Sequence, residues 1–304
     1  MLVIKHRAFF FWLTGIILAA AVASIVFFGL PLSIDFTGGT LVEVQYETER
    51  PNLDVLKGEI TAIPFGAISL RESGEQGVAL RTRTMTPQEQ EAVVGILSDN
   101  GVRAMTVLRA NSIGPSMGAE LATKALWAML AVIVTIMLYI AWAFRRVSKP
   151  VPSWGYGIVV VAMLIIDIIV PVGFYAAWTH YTGAQVDVLF VVALLALLGY
   201  VVNDVIVIFD RIREHLRRNT EQDIDEEFEI TIGKSIDETI GRSINTSLTV
   251  VLALLAIIFA GPEVTRDFAL VILIGVVIGT FSSIARSAPL LIPLAKLFKG
   301  KPNA

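Results

Sequence analysis

The 304-residue chain contains no cysteine, which excludes a disulfide framework and any thiolate metal site. Histidine is sparse, and His6, His180 and His215 are too scattered for metal-ligand spacing. Charged residues make up only 17% of the chain, against 55% hydrophobic residues. The mean hydropathy of +0.72 is too apolar for a soluble domain and places the chain in the membrane class. There is no phosphate-binding loop, no Ser/His/Asp arrangement for nucleophilic catalysis and no nucleic-acid signature. The expectation is a membrane protein that is not an enzyme, needs no cofactor or metal, and binds no nucleic acid.

Long apolar runs take the place of those motifs. Six of them, near 8–30, 121–144, 155–178, 187–209, 243–260 and 268–294, can cross roughly 30 Å of hydrocarbon at about 1.5 Å per residue. Lys5 and Arg7 precede the first, and Ala21, Val22 and Ala23 resemble a signal-peptide cleavage site. That triplet lies inside the run, which is longer than a signal core, so an uncleaved anchor is expected. The net charge of -3 says less than where the basic residues lie. Arg145, Arg146 and Lys149 follow the second span, and Arg211, Arg213, Arg217 and Arg218 follow the fourth. Lys296, Lys299 and Lys301 close the chain, whereas the short loops on the other side hold only Arg266. The positive-inside rule then puts both termini in the cytoplasm and residues 31–120 outside.

The division expected is an N-terminal tip and first span over 1–30, an outside domain over 31–120, and a five-helix bundle over 121–304. Within the outside segment, 41–46 alternates like a strand and 52–62 has helical character. Residues 67–71 and 78–83 make a hairpin around Ser73, Gly74, Glu75, Gln76 and Gly77. Thr86 is the N-cap of a second helix, with Pro87 at its first position and Glu89 in its first turn. Asn100 and Gly101 stop it, and 102–108 is a last strand. The order β-α-β-β-α-β predicts a small ferredoxin-like sandwich. A cytoplasmic loop near 211–242 carries Ile224, Phe228, Ile232, Ile236 and Ile240 at four-residue spacing. This apolar stripe on an acidic helix should pack on protein, because anionic lipid repels such a helix.

A few charges stand inside the spans, where they are expensive and therefore functional candidates. Asp204 follows Asn203 in the fourth span, about 9 Å of helix from its cytoplasmic end. Asp167 lies near the middle of the third span, and Arg286 lies in the sixth. Arg242 stands at the mouth of the fifth, with Asn245, Thr246 and Thr249 continuing a polar stripe. Asp210 and Arg211 fit an ordinary boundary role. These charges could simply neutralise one another and pin the packing, helped by a close-packing face at Gly275 and Gly279. Two carboxylates and two guanidinia exceed that need. Desolvation favours the neutral form of a carboxyl group and a nearby guanidinium favours the charged form. Relative movement of the two would therefore bind or release a proton, and a proton relay is expected at Asp204, with Asp167 as a further candidate.

Several motifs resemble the SecF family of protein-export membrane subunits. Asp35, Phe36, Thr37, Gly38 and Gly39 after the first span match its DFTGG signature. The run from Gly199 through Asn203 and Asp204 to Asp210, Arg211 and Glu214 is similar to its fourth-span motif. Gly114 to Gly118, Arg242 to Ser247 and Gly279 to Ser283 are similar too, in the same order along nearly the whole chain. The resemblance implies half of a twelve-span bundle of the resistance-nodulation-division architecture, completed by SecD. It implies use of the proton-motive force to promote late export of unfolded preproteins delivered by the SecYEG channel and its ATPase, in the bacterial cytoplasmic membrane among its lipids. The proposed proton-path residues of the family fall on Asp204 and Arg242. Two departures stand out: Ile166 precedes Asp167 where the family commonly has His, and Arg286 occupies a usually uncharged stretch. Arg286 is then either an extra partner for Asp204 or a compensating change.

A six-span set is also half of the usual parallel-repeat transporter, so a partner is expected on that ground alone. Gly38 and Gly39 have a backbone explanation, a turn at positive φ from helix into strand. Three rivals remain: a half-transporter for lipids or small hydrophobic molecules, a passive scaffold of the export channel, and an aspartyl protease using Asp167 and Asp204 as a dyad. The last lacks the Gly-x-Gly-Asp context.

Overall fold

The computed structural model describes residues 2–61, 68–74, 76–145 and 150–299. The expectations that involve Ala62, Ala67, Glu75, Arg146, Lys149 and Lys301 lie outside the described residues. The chain forms two compact units. The smaller comprises Pro31–Trp127 with Gln185–Val188, and the larger comprises Met1–Leu30, Ala128–Ala184 and Leu189–Ala304.

A helical turn α1 (Leu2–Lys5) leads into the first long helix, α2 (Arg7–Phe28). The smaller unit then begins with a short helix α3 (Ile34–Thr37), whose N-cap Ser33 accepts the Asp35 N–H at 3.1 Å. It continues through β1 (Gly39–Tyr46), α4 (Leu53–Thr61), β2 (Ser69–Ser73), β3 (Gly77–Thr82), α5 (Pro87–Leu97) and β4 (Met105–Ile113). The sheet order is β2-β3-β1-β4, and each neighbouring pair is antiparallel. β1 and β2 therefore run parallel with β3 between them, which is the split β-α-β of a ferredoxin-like fold.

Period-two alternation decides the inner face of this sheet. Val42, Val44 and Tyr46 of β1 and Val78 and Leu80 of β3 pack on Leu56 and Ile60 of α4 and Val93 and Leu97 of α5. The Tyr46 hydroxyl donates to the Leu97 carbonyl at 3.1 Å, so its buried polar end is satisfied. α5 starts as its sequence dictates. Thr86 accepts from Glu89 N–H, and the Glu89 carboxylate accepts from Thr86 N–H, a reciprocal capping box. Asp99, Asn100 and Gly101 then take positive φ and end it. β4 begins and ends later than the alternation of 102–108 suggests, because pairing with β1 carries it on until Ile113 lies opposite Gly39.

The remaining helices are α6 (Pro115–Ala143), α7 (Ser153–Thr182), α8 (Val188–Glu221), α9 (Phe228–Ala260) and α10 (Glu263–Ser282). A π-helical turn (Ser283–Ser287) and α11 (Leu291–Lys299) finish the chain. Among the described residues, six helical segments are long and apolar enough to cross a membrane. α7 and α8 contribute most to the buried core, through Val160, Leu164, Leu197, Val201, Val205 and Ile208. α6 and α9 instead present large apolar side chains outward, such as Leu126, Trp142, Leu252 and Phe259.

The loop expected over 211–242 is not a separate element. α8 runs on to Glu221 and α9 starts at Phe228, so only residues 222–227 lie between them. No Gly or Pro interrupts 210–221, and ion pairs one turn apart hold the extension: Asp210–Arg213, Arg211–Glu214 and Arg217–Glu221. Ile232 and Ile236 are fully buried against protein, as the stripe predicts, whereas Ile224 precedes α9 and is half exposed.

Candidate functional site

Asp204 lies midway along α8 among Val201, Val202, Val205 and Ile208. It is only 4% exposed, and its Oδ2 has no hydrogen-bond partner. Arg242 of α9 is the cation whose charge reaches it, without a direct ion pair. Beside Arg242, the buried Ser243 hydroxyl is likewise unpartnered. One turn before Asp204, the Tyr200 hydroxyl donates to Ser247 Oγ at 3.0 Å, and Ser247 Oγ lies 2.5 Å from Thr280 Oγ1. A line of hydroxyls thus joins α8, α9 and α10 next to a buried carboxyl group. Such a line can carry or orient a proton. Tyr200, Ser247 and Thr280 are common polar residues that sequence alone does not distinguish from their neighbours. Their spacing from Asp204, Arg242 and Gly279 within the same motifs was the available signal.

Asp167 and Arg286 meet each other. Arg286 Nη2 donates to Asp167 Oδ1 at 2.9 Å, with side chains 3% and 2% exposed. Arg286 is therefore a partner of Asp167 and not of Asp204. Asp167 Oδ2 and Arg286 Nε remain without partners. Two prolines shape this pocket. Pro171 removes the N–H that would bond the Asp167 carbonyl, and Pro289 does the same to Ala285. A π-helical turn over Ser283–Ser287 precedes Pro289, and Arg286 within it is buried. Serine hydroxyls serve the loosened backbone, with Ser287 Oγ donating to the Ser283 carbonyl at 2.5 Å. Among the described residues, no hydrogen bond joins the two Asp carboxyl groups, and Asp167 is paired with Arg286 instead.

The other predicted positions separate by exposure. Asn203, Asp210, Arg242, Asn245 and Thr249 are exposed, forming polar stripes on α8 and α9. Asp210 pairs with Arg213, and Arg211 with Glu214 and Glu238, as boundary residues do. Glu238 also accepts from the buried His215, whose other ring nitrogen faces Arg218 at 2.7 Å. Gly275 and Gly279 face Leu197 and Val201 of α8, so their expected close-packing face exists. Gly38 and Gly39 adopt φ of 74° and 130°, the turn expected of them. Asp35 lies in α3, and its Oδ2 accepts the Val188 N–H at 3.1 Å. Among the described residues, no group of three or more His, Asp or Glu is placed to hold a metal ion.

Comparison with known proteins bears on the same elements. Residues 94–297 match the family model described as protein export membrane protein SecD/SecF, C-terminal, and residues 23–49 match the SecD/SecF GG motif. The chain is 33% identical to the protein translocase subunit SecF of Thermobaculum terrenum, covering 95% of this chain and 92% of the relative. The SecF of Anaerolinea thermophila is also 33% identical with the same coverage. Among solved structures, the SecDF crystal structure from Thermus thermophilus superposes with a TM-score of 0.80 at 28% identity over 95% of this chain. The chain spans 38% of the length of that SecDF.

Proposed function

The chain belongs to the SecD/SecF family of protein-export membrane proteins, and from that premise we propose that it is a SecF-type subunit which couples the proton-motive force to late steps of preprotein export. A role in Sec export and a multi-pass bacterial membrane location come with membership of the family. The finer reading rests chiefly on one observation: Asp204 is buried in a membrane-crossing helix with a carboxylate oxygen left unpartnered. An intramembrane carboxyl group of that kind is a functional-site candidate by default, and proton relays are built from such groups. Arg242 is close enough for its charge to act there and free enough to move, being exposed on α9. Approach of the guanidinium favours the ionised carboxylate and withdrawal favours the protonated one. The hydroxyls of Tyr200, Ser247 and Thr280 form a hydrogen-bonded line across three helices, which supports proton handling in this region. Asp167 and Arg286 belong to the same set of intramembrane charges, and their direct ion pair suits the static part of it.

SecD is the proposed partner. Polar stripes at Asn203 and Asp210 on α8 and at Arg242, Asn245 and Thr249 on α9 are uncomfortable against lipid. A second bundle covering them removes that cost, and the SecDF chains are long enough to hold one. The SecYEG channel and its ATPase supply the substrate, an unfolded preprotein. The distribution of Lys and Arg supports an orientation with both termini in the cytoplasm and the ferredoxin-like domain outside. The test is export into membrane vesicles carrying this chain with SecD, with the proton gradient present or collapsed. Asp204→Asn should abolish the gradient-dependent fraction while the complex still assembles. Unchanged export would make the chain a scaffold instead.

A further inference from the structure

Resting on the reading of Asp204 as the coupling carboxylate, we infer that Asp35 is a positioning residue whose carboxylate fastens the first turn of α8 to the small domain. The Val188 N–H at the start of α8 donates to Asp35 Oδ2 at 3.1 Å. Around it, Ser33 N–H donates to the Val186 carbonyl at 2.8 Å and Val186 N–H to the Pro31 carbonyl at 2.9 Å. Leu32 and Val186 thereby form a parallel bridge. Residues 185–188 accordingly belong to the smaller compact unit, although the chain continues from them directly into α8. The first residue of α8 is held by the domain, while Asp204 lies on the same helix about 24 Å further along.

The anchor itself has little slack. A Cβ at Gly38 would sit 2.7 Å from Pro115 Cα, and one at Gly118 would sit 2.8 Å from the Gly38 nitrogen. The turn after Asp35 is therefore wedged against the start of α6, and Gly39 leads straight into β1. A helix without proline from Val188 to Glu221 is a stiff lever. Loss of the hold at Val188 should then be felt along α8 at Asp204, and a change of protonation at Asp204 should be felt at Val188. Asp35 touches no part of the hydroxyl line and acts only through the helix.

Asp35 also faces Arg81 of β3. Burial first, and then the neighbouring Arg71 charge, lower the Arg81 guanidinium to about 10, while Asp35 acts in the opposite direction. The two roles separate by substitution. Asp35→Asn removes the charge that faces Arg81 and keeps an acceptor for Val188; Asp35→Ala removes both.

The experiment uses the whole chain in complex with SecD. In the vesicle assay, Asp35→Ala should lose most of the gradient-dependent export and leave the ATP-driven fraction intact, while Asp35→Asn remains near wild type. Hydrogen exchange at the first-turn amides of α8 should quicken about fivefold in Asp35→Ala, the usual consequence of a lost cap. The chain has no cysteine, so a Leu32→Cys/Val186→Cys pair can be added to Asp35→Ala cleanly. Once oxidised it should restore gradient-dependent export, and a reductant should remove it again. The inference is overturned if Asp35→Asn fails as Asp35→Ala does, if Asp35→Ala exports normally, or if the oxidised pair does not rescue. Failure of Asp35→Ala to assemble even when cross-linked would likewise overturn it, by making Asp35 a folding residue. Asp204→Asn measured in parallel keeps the two readings apart. Normal gradient-dependent export there sinks the role of Asp204, whereas unchanged exchange at the start of α8 sinks the role of Asp35 alone.

Discussion

Arg286 and Asp167 set opposite charges directly against each other, with side chains only 3% and 2% exposed. Their charges stand out in apolar runs, so both residues were legible in the sequence. Which charge meets which was not legible, because that depends on the rotation of four helices about their axes. With the pair at 2.9 Å, removing one member strands the other in a dry interior. Arg286→Met should cost about 3 to 5 kcal/mol, and adding Asp167→Leu should recover most of it. Thermal unfolding of the detergent-solubilised chain reads both, and equal loss in the double variant would refute the pairing as the cause. Glu89 makes a second test at this scale. Its hydrogen bonds to Arg83, with further bonds from Thr86, lower the carboxyl from the ordinary 4.5 to about 2. A depressed carboxylate stabilises the fold above its unfolded value, and that contribution fades as pH falls from about 4.5 towards 2. Protection of the α5 amides should decline through that window in wild type and stay flat in Glu89→Gln.

At the scale of the element, α2 and α7 approach so closely that glycine is required between them. A Cβ at Gly173 would lie 2.5 Å from the Ala21 Cα and carbonyl oxygen, both backbone atoms that cannot turn aside. Ser24 Oγ also donates to the Gly173 carbonyl at 2.6 Å. Gly173→Ala should destabilise by about 1 to 3 kcal/mol by forcing the helices apart. Gly15→Ala on α2, with open space around it, should be neutral or gain up to about 1 kcal/mol from helix propensity. Melting curves of the two variants, run side by side, distinguish a packing glycine from a free one. The sequence carried the middles of the six spans and the starts of α4 and α5 in the small domain, since long apolar runs and the Thr86 capping box are local signals. It did not carry the ends. Past residue 209 the polarity changes but nothing breaks the helix, so α8 and α9 extend through a stretch that composition alone marks as loop. The π turn was equally hidden, because Pro289 shows only that some hydrogen bond must fail, not how the backbone absorbs it.

For the whole molecule, the family and the ferredoxin-like topology were legible because five ordered motifs and an alternating strand pattern recur over nearly the full length. The hydroxyl line and the Asp35 link were not, since each joins residues far apart in the chain. The exposed polar stripes on α8 and α9 carry the expectation of a partner bundle. Asn203→Trp, a bulky change at an exposed position, should reduce co-purification of SecD severalfold without altering the melting of the isolated chain. Undiminished co-purification would move the interface elsewhere. If Asp204 takes up and releases the coupling proton, as proposed, proton flux through the complex must depend on it. The SecD complex would be reconstituted into liposomes with a trapped pH-sensitive dye, and an imposed pH gradient would be followed with wild type and Asp204→Asn. Wild type should dissipate the gradient and Asp204→Asn should retain it; equal dissipation by both would rule out Asp204 as the coupling carboxylate.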